Sequence, residues 1–457
     1  MEGNPYKPPQ AIAAAPPMSM QLRTQLSTMM FLQYAIWGAW LPLLWPYLAN
    51  HLGFNGHEIG DMFAVGALGA IIAPFLAGQL ADRYFSTERF LAVSHLIGGA
   101  LIWVLASLTT YWQFLAFSFV YSLVYSPTLS LTNSLAFHHL PDRDRDFGQV
   151  RIWGTIGWIV VGMSVAQWLL HHYTPPGASA NEMLLSQAGG MADAFRLSGI
   201  LGIAMGLFCF LLPHTPPSQG KKKNASVEAL GEIKKNPLLT LFLISIPISC
   251  VHQFYFVHTA GFLGQFQAAA EATNGQSSTK SLFHAINSIF GVGGGGLMTV
   301  GQFAEFGVLA MMPILAKALS RKTLLAIGII AYGLRMFLFA YVGPIAAATH
   351  LGPVPILILG IAMHGFSFGC FVFIAFMVVD EQTTGDVRAS AQSLFNLVMI
   401  GVGIIVGSEI AGWVAEWARI DKDHLDYTKL FSVPMWTCLA CLIALVVFYP
   451  RRSRTVA

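Results

Sequence analysis

Two polar side chains, one helical turn apart, could do chemistry inside an otherwise apolar segment. Gln302 and Glu305 lie within residues 297–318, which are long and apolar enough to cross a membrane. An ionisable side chain at that depth costs about 2.5 kcal/mol or more on insertion scales, so it favours a protein cavity over lipid. A carboxyl group there can accept hydrogen bonds from a polar ligand or carry a proton. We therefore expect the function to involve Glu305.

A second polar face opens the segment that begins near residue 151. Arg151, Thr155 and Trp158 recur at i, i+4 and i+7, so a cation, a hydroxyl and an indole share one side of a helix. Such a face could hold a polar ligand that also has a ring to stack. The alternative is an arginine at the membrane interface with packing side chains beside it.

Other ionisable side chains also fall in apolar segments: Glu409, Arg335, His252, His258 and His364. Glu409 is a candidate for proton coupling, as is Glu305. For Arg335 and Glu409 the alternative is a structural pair, either mutual or satisfied by backbone. For each histidine it is a hydrogen-bonded packing role. His364 is the strongest of the three because it precedes Phe368 by one helical turn.

Composition defines the class of protein. Of 457 residues, 55% are hydrophobic and 10% charged, against about 25% charged in a soluble domain, and the mean hydropathy is +0.60. These values indicate a polytopic membrane protein. The net charge of +3 gives no indication of a nucleic-acid partner. The five cysteines lie in apolar segments and indicate packing residues, including the C-x-x-C of Cys438 and Cys441, so we expect no metal or cofactor.

Apolar windows of about 20 residues predict twelve spans. They cover residues 26–48, 59–80, 90–110, 113–137, 152–170, 194–213, 238–262, 297–318, 324–343, 353–378, 390–415 and 430–449. Residues 1–25 form a polar, proline-rich leader without a cleavable signal. If the N-terminus is inside, nineteen Lys and Arg residues lie on the cytoplasmic side and five on the other. This asymmetry predicts that both termini are cytoplasmic.

The predicted spans divide into two sets of six. Residues 214–236 form the largest polar insertion and indicate a cytoplasmic linker between bundles at 26–213 and 237–449, with a tail at 450–457. The expected fold class is therefore an all-α membrane protein with two six-helix bundles. Binding of substrate between such bundles is typical of secondary transporters.

A short motif closes the second predicted span. Gly78, Asp82 and Arg83 belong to the sequence GQLADR, which resembles the G-x-L-A-D-R signature of the major facilitator superfamily. The resemblance implies a gating role for these three residues, whereas the alternative is an ordinary arginine at a span end. The residues that follow, 84–89, depart from the superfamily pattern.

Several segments in order carry a more specific resemblance. They are FLQYAIWGAW (31–40), PTL (127–129), RIWGTIG (151–157), LRMFLFAY (334–341) and RASAQ (388–392). Together they resemble the nucleoside:proton symporter family of the major facilitator superfamily, over about residues 22 to 450. The resemblance implies the major facilitator fold and a nucleoside transporter.

The resemblance also implies which residues bind the nucleoside. Carried over position by position, they are Arg151, Thr155, Trp158, Gln253, Gln302, Glu305, His364 and Phe368. Three positions depart from the family: Phe256 stands where an Asn can occur, His364 where a Tyr can occur, and Gly369 where an Asp implicated in proton coupling can occur.

We expect a secondary active transporter that imports nucleosides across the cytoplasmic (inner) membrane by proton symport and alternating access. Its expected partners are a nucleoside, protons and the lipid bilayer, with the chain acting as a monomer. The alternatives are a uniporter, a transporter of another sugar-like solute, or a nutrient sensor of the same fold. The sequence lacks an H-E-x-x-H arrangement, which argues against an enzyme. The G-x-G-x-x-G match at residues 291–296 follows no predicted strand, so it indicates a flexible or closely packed entry to the eighth span.

Overall fold

The structure of the chain is a computed structural model. It describes residues 16–84, 86–216, 231, 233–274, 281–384, 388–421 and 424–450, without the side chains of 73–84, 144, 274 and 388–390. The side chains of Gly78, Asp82 and Arg83 therefore lie outside the described residues. Most of the predicted leader, linker and C-terminal tail lies outside them as well.

In the described part of the chain, twelve long helices correspond to the twelve predicted spans. They are α1 Met20–Trp40, α2 Gly56–Tyr84, α3 Thr87–Leu105, α4 Tyr111–His139, α5 Arg143–His172, α6 Ala192–Cys209, α7 Leu238–Asn274, α8 Gly295–Ala318, α9 Arg321–Ala340, α10 Pro353–Gln382, α11 Ala391–Trp417 and α12 Tyr427–Phe448. Shorter helices that the sequence did not predict lie at Ala180–Gly190, Leu282–Phe290 and Val342–Thr349.

Side-chain caps define several helix starts. The hydroxyl of Ser19 accepts a hydrogen bond from the backbone N–H of Leu22 at α1, and the carboxylate of Asp142 accepts one from Arg145 at α5. Two helices change to the wider π geometry within the membrane, α10 at Ser367–Phe373 and α11 at Leu397–Val402. Turns of this kind are frequent at functional sites.

Ten of the described helices, α3 to α12, are long and apolar enough to cross a bilayer, and α1 and α2 are outside this set. In α1, polar residues lower the hydropathy, but its buried Gln33 is satisfied inside the bundle. The amide nitrogen of Gln33 donates to the hydroxyl of Thr128 at 2.8 Å, and its amide oxygen lies 2.9 Å from Nε2 of His95. A span can carry such a side chain because its partners are protein groups rather than lipid.

Each bundle is held by pairwise helix packing. In the first, α1 packs along α5, α3 along α6 and α2 along α4; in the second, α9 packs along α12, α8 along α10 and α7 along α11. Among the long helices, α2 with α11 and α5 with α8 join the bundles, and α7 also packs against the short helix Ala180–Gly190 of the first bundle. The interface between bundles is therefore lined by the helices that carry Arg151, Glu305 and Glu409.

Glycines let α2 and α11 meet closely at one end of this interface. A Cβ atom added at Gly56 would lie 2.6 Å from the carbonyl oxygen of Gly412. The carboxylate of Glu416 accepts a hydrogen bond from the backbone N–H of Gly56, at the positive end of α2. Only a residue without a side chain permits this contact at Gly56.

The glycine-rich segment at 291–296 closes the same end beside α5. The backbone N–H of Val292 donates to the carbonyl of Ala166 at 3.1 Å, and the amide of Gln167 donates to the carbonyl of Ile289 at 2.9 Å. Gly294 has a φ of 82° and packs against the backbone of Ala260. The hydrogen bonds that join the bundles through described residues lie at this end, which we call the closed end.

Candidate functional site

Glu305 is held against α10 by two glycines. A Cβ atom at Gly365 would lie 2.5 Å from the carbonyl group of Ala304, and one at Gly301 would lie 3.0 Å from Cβ of His364. The exposed apolar residues of α8, Phe303, Met311 and Ile314, lie on its other side. Glu305 therefore points into the protein rather than into lipid.

The carboxylate of Glu305 faces a histidine. Its Oε2 lies 3.6 Å from Nε2 of His364, and the two side chains are 19% and 3% exposed, respectively. The ring of His364 lies parallel to the ring of Tyr255, with centroids 5.0 Å apart, and Phe368 follows with its ring centroid at 6.3 Å. One turn before Glu305, Gln302 is buried, and its side-chain oxygen has no hydrogen-bond partner among the described residues.

Arg335 lies behind His364 and is fully buried. Its Nη1 is 3.2 Å from Nδ1 of His364, and its guanidinium carbon lies 4.1 Å above the ring of Tyr255 and 5.1 Å from that of Tyr332. Tyr332 in turn hydrogen-bonds His252 at 2.7 Å. The structural alternative of a mutual Arg335–Glu409 pair is wrong, because each residue has a different partner.

Glu409 meets the opposite bundle instead. Its carboxyl group is within hydrogen-bonding reach of the carboxyl group of Asp61 on α2, and the hydroxyl of Tyr111 donates to Oδ2 of Asp61 at 2.5 Å. Gly60 packs against the carbonyl oxygen of Ser408, and this contact brings the two helices together. Two carboxyl groups in such contact need a proton between them to avoid repulsion.

The polar face of α5 contacts aromatic residues of α1. The guanidinium of Arg151 lies 4.1 Å above the ring of Tyr34. Trp158 makes an edge-to-face contact with Trp37, with centroids 5.8 Å apart. Thr155 is half-buried between them along the helix. The chain thus adds two rings to the predicted face, which suits a flat ligand.

A cavity of about 140 Å³ lies between the bundles. Its lining combines Trp37, Trp40, Tyr121 and Tyr125 of the first bundle with Gln253 of the second. Gln253 donates to the hydroxyl of Ser408 at 3.1 Å, and Trp37 also touches Trp158. Gln253 therefore lies at the cavity wall.

The remaining histidine, His258, packs rather than facing this cluster. Its Nε2 lies 3.2 Å from the carbonyl of Ala411, and its ring meets Trp45 with centroids 4.3 Å apart. All five cysteines are buried and free of disulfides. These contacts agree with the packing roles inferred from the sequence.

A profile of the protein family described as "Nucleoside H+ symporter" matches residues 20–454. The chain is also 31% identical over 434 residues to the putative nucleoside transporter YegT of Escherichia coli, covering 93% of this chain and 92% of that protein. This chain belongs to the nucleoside H+ symporter family.

Two further members extend the comparison. The xanthosine permease of Escherichia coli is 28% identical over 443 residues, covering 94% of this chain and 96% of that protein. The crystal structure of the nucleoside transporter NupG superposes with a TM-score of 0.77 at 25% identity, covering 93% of this chain and 98% of that chain. This symporter therefore has the major facilitator fold, and it is a membrane transporter rather than an enzyme.

One departure from the family now has a structural description. A Cβ atom at Gly369 would lie 2.7 Å from Cγ1 of Val308 and 3.3 Å from Cε of Met312. Both α8 side chains are buried. In this symporter, apolar atoms fill the space in which an acid at position 369 would lie. Glu305 lies one turn before Val308 on the same face of α8.

Sequence reasoning found the polar residues of α5, α8 and α10 but not their neighbours. The structure adds Tyr34, Tyr255 and Tyr332 as rings that hold cations, and Asp61 as the partner of Glu409. Asp61 had a signal that could have found it, since it is an acid early in a predicted span. The aromatic residues had none, because rings are common throughout this chain.

Proposed function

We propose that this symporter couples nucleoside import to proton entry through Glu305. Family membership supports both the nucleoside and the proton as transported species. The observation that carries the assignment is the carboxylate of Glu305, 3.6 Å from His364 and partly exposed at membrane depth. A carboxyl group in that setting can exist in both forms during a transport cycle.

The proposed nucleoside site has two walls. Arg151, Thr155 and Trp158 form the first, and the residues of the second are Gln253, Gln302, Glu305, His364 and Phe368. Ribose hydroxyls would donate to Glu305 and to the buried oxygen of Gln302, which is unpartnered among the described residues. A base would stack on the indole of Trp158. Binding between bundles lets the same residues meet substrate from either side.

The structure corresponds, in this proposal, to the state closed to the outside. The Lys and Arg asymmetry favours cytoplasmic termini, which leaves the α1–α2 connection and the segment before α8 on the outer face. Both belong to the closed end, where Gly56 meets Glu416 and Val292 meets Ala166. Substrate would therefore leave toward the cytoplasm from this state.

The remaining organisation is also proposed. The bundles at 26–213 and 237–449 would rock about the interface, joined by the cytoplasmic linker at 214–236. We propose that the chain acts as a monomer in the cytoplasmic membrane. A gating role for Gly78, Asp82 and Arg83 is proposed from the likeness of their motif to the superfamily signature alone.

Uptake into cells tests the proposed function directly. Cells that express the chain should accumulate radiolabelled uridine or adenosine, and a protonophore should abolish the accumulation. Uptake that is indifferent to the protonophore would instead indicate a uniporter. Nucleoside binding without uptake would indicate a sensor. If the chain neither binds nor takes up nucleosides, then nucleosides are not its substrates.

Glu409 has a separate proposed role at the closed end. Its contact with Asp61 joins the two bundles, and without a shared proton the two carboxylates would repel. Protonation of this pair from the outside would therefore favour closure of the outer end. In a Glu409→Gln variant the outer end should close at any pH, because an amide can hydrogen-bond Asp61 without a shared proton.

Accessibility measurements can test this closure. A cysteine introduced at Ala67, which lines the cavity between the bundles, should react with an external maleimide at a rate that, relative to free cysteine at the same pH, is several-fold higher at pH 8 than at pH 6. In Glu409→Gln the rate should stay low at both pH values, and Glu182→Gln, on a short outer helix, serves as the control. An unchanged pH dependence in Glu409→Gln would contradict the role of this pair.

A further inference from the structure

The buried guanidinium of Arg335 fixes the proton arrangement of His364. Arginine has only donors, so the 3.2 Å contact between Nη1 of Arg335 and Nδ1 of His364 requires a lone pair on Nδ1. The single ring proton then lies on Nε2, which faces the carboxylate of Glu305 at 3.6 Å. A doubly protonated His364 would direct a second N–H at the arginine, so this contact keeps the ring neutral.

Among the described residues, Arg335 has no other hydrogen-bond partner that would hold its charge. Its Nε and Nη2 have no partner within the described part of the chain, although the side chain is fully buried. The rings of Tyr255 and Tyr332 cover its faces at 4.1 and 5.1 Å. A buried cation is costly unless a negative charge compensates it, and here His364 connects it to Glu305.

We propose that Arg335 and His364 are positioning residues that stabilise the charged form of Glu305 in the outward-closed state. This inference rests on the proposed function, in which Glu305 carries the proton. With Glu305 ionised, the cluster of carboxylate, neutral imidazole and guanidinium has no net charge; with Glu305 protonated, it has an uncompensated buried cation. Closure of the outer end therefore coincides with release of the proton from Glu305. His364 does not itself carry this proton.

Other groups face this cluster from each helix packed against it. From α7 they are His252 and Tyr255, from α9 Tyr332 and from α12 Cys438, which lies near Arg335. From α5, which packs on the other side of α8, the charged residue is Arg151, whose guanidinium is held over Tyr34. Among the groups named here, Glu305 is the carboxylate. Loss of the Arg335 charge should therefore affect the protonation of Glu305 first.

Infrared spectroscopy of the purified protein can test the arrangement without transport. The carboxyl C=O stretch of Glu305, assigned by its loss in Glu305→Gln, gives the pH at which this group titrates. In Arg335→Gln the protonated form of Glu305 should persist to a higher pH than in wild type, because the buried cation behind His364 no longer favours the carboxylate. In His364→Leu the midpoint should rise as well, because the imidazole N–H that faces Glu305 is lost.

The decisive variant is His364→Gln. A glutamine can accept from Arg335 with its oxygen and donate to Glu305 with its nitrogen, so it keeps the order of donor and acceptor. Because His364 also lines the proposed nucleoside site, this variant is expected to change nucleoside affinity, but the nucleoside movement that remains should still carry protons. Loss of proton coupling in a folded His364→Gln protein would show that His364 carries the proton and would overturn the proposal.

The two proposals can fail separately. If the wild-type protein takes up no nucleoside, the proposed function fails, while the infrared titrations still report on Arg335 and His364. If uptake is proton-driven but neither Arg335→Gln nor His364→Leu moves the midpoint, the role of these two residues is wrong. Arg335→Lys, which keeps a donor and the charge, controls for misfolding and should titrate near wild type.

Discussion

A Glu305→Gln variant is expected to lose accumulation of nucleoside against a gradient while it still exchanges nucleoside across the membrane. Glutamine keeps the shape and a hydrogen-bonding end, so binding should weaken by no more than about tenfold. It cannot bind and release a proton. With one proton per nucleoside, a gradient of one pH unit supports about tenfold accumulation, and the variant should show none.

The measurement is the ratio of internal to external nucleoside in vesicles with an imposed pH gradient. Glu182→Gln provides a matched control, because it makes the same chemical change at the cap of the helix Ala180–Gly190, outside the proposed nucleoside site. Accumulation in Glu305→Gln equal to that of wild type would remove Glu305 as an obligatory proton carrier. Glu409, the second candidate, would then become the stronger one.

A Gly365→Ala variant is expected to reduce transport by about tenfold or more and to lower thermal stability. The added Cβ would lie 2.5 Å from the carbonyl of Ala304 and 2.7 Å from the nitrogen of Glu305, so α8 and α10 must separate. Overpacking of this kind costs about 1–3 kcal/mol. The separation also moves Glu305 away from His364, and a shift of about 1 Å in a functional group can cost about a hundredfold in rate.

Gly307 on the same helix offers the control. A Cβ atom there would meet nothing within 4 Å, so Gly307→Ala should be neutral or slightly stabilising. Initial rates of nucleoside exchange and melting temperatures of the two purified variants provide the comparison. Equal behaviour of the two variants would contradict the account of how α8 and α10 position the site.

The positions of the helices could be predicted because each span carries its own signal. A run of about twenty apolar residues can form a membrane span in any fold. All twelve predicted spans overlap a helix of the structure. The end of α1 was less predictable. After Trp40 the chain passes through a 3₁₀ turn at Leu41–Leu43 and a π segment at Tyr47–His51, since Pro42 and Pro46 interrupt regular hydrogen bonding.

The partners of the buried charges could not be predicted in the same way. Arg335 and Glu409 both lie in apolar segments, and the sequence allowed them to pair with each other. In the structure Arg335 contacts His364 and Glu409 contacts Asp61, because α9 packs on α10 whereas α11 packs on α2. Which helices are neighbours depends on packing across the whole chain, and hydropathy does not record it.

Gly369 shows how the structure refines a sequence comparison. The sequence indicates that an acid of the family is missing at this position. The structure adds that Val308 and Met312 fill the space and that Glu305 lies on the same face of α8. The question of proton coupling therefore concentrates on Glu305 and the buried residues behind it.

Nucleoside-dependent proton movement in proteoliposomes is the direct test of proton coupling through Glu305. The purified protein is reconstituted with a pH-sensitive dye in the lumen, and uridine or adenosine is added outside at equal pH on both sides. If Glu305 carries the proton, nucleoside addition acidifies the lumen in wild type and leaves the lumen pH unchanged in Glu305→Gln. Nucleoside uptake in wild type without acidification, or equal acidification in Glu305→Gln, would contradict this coupling.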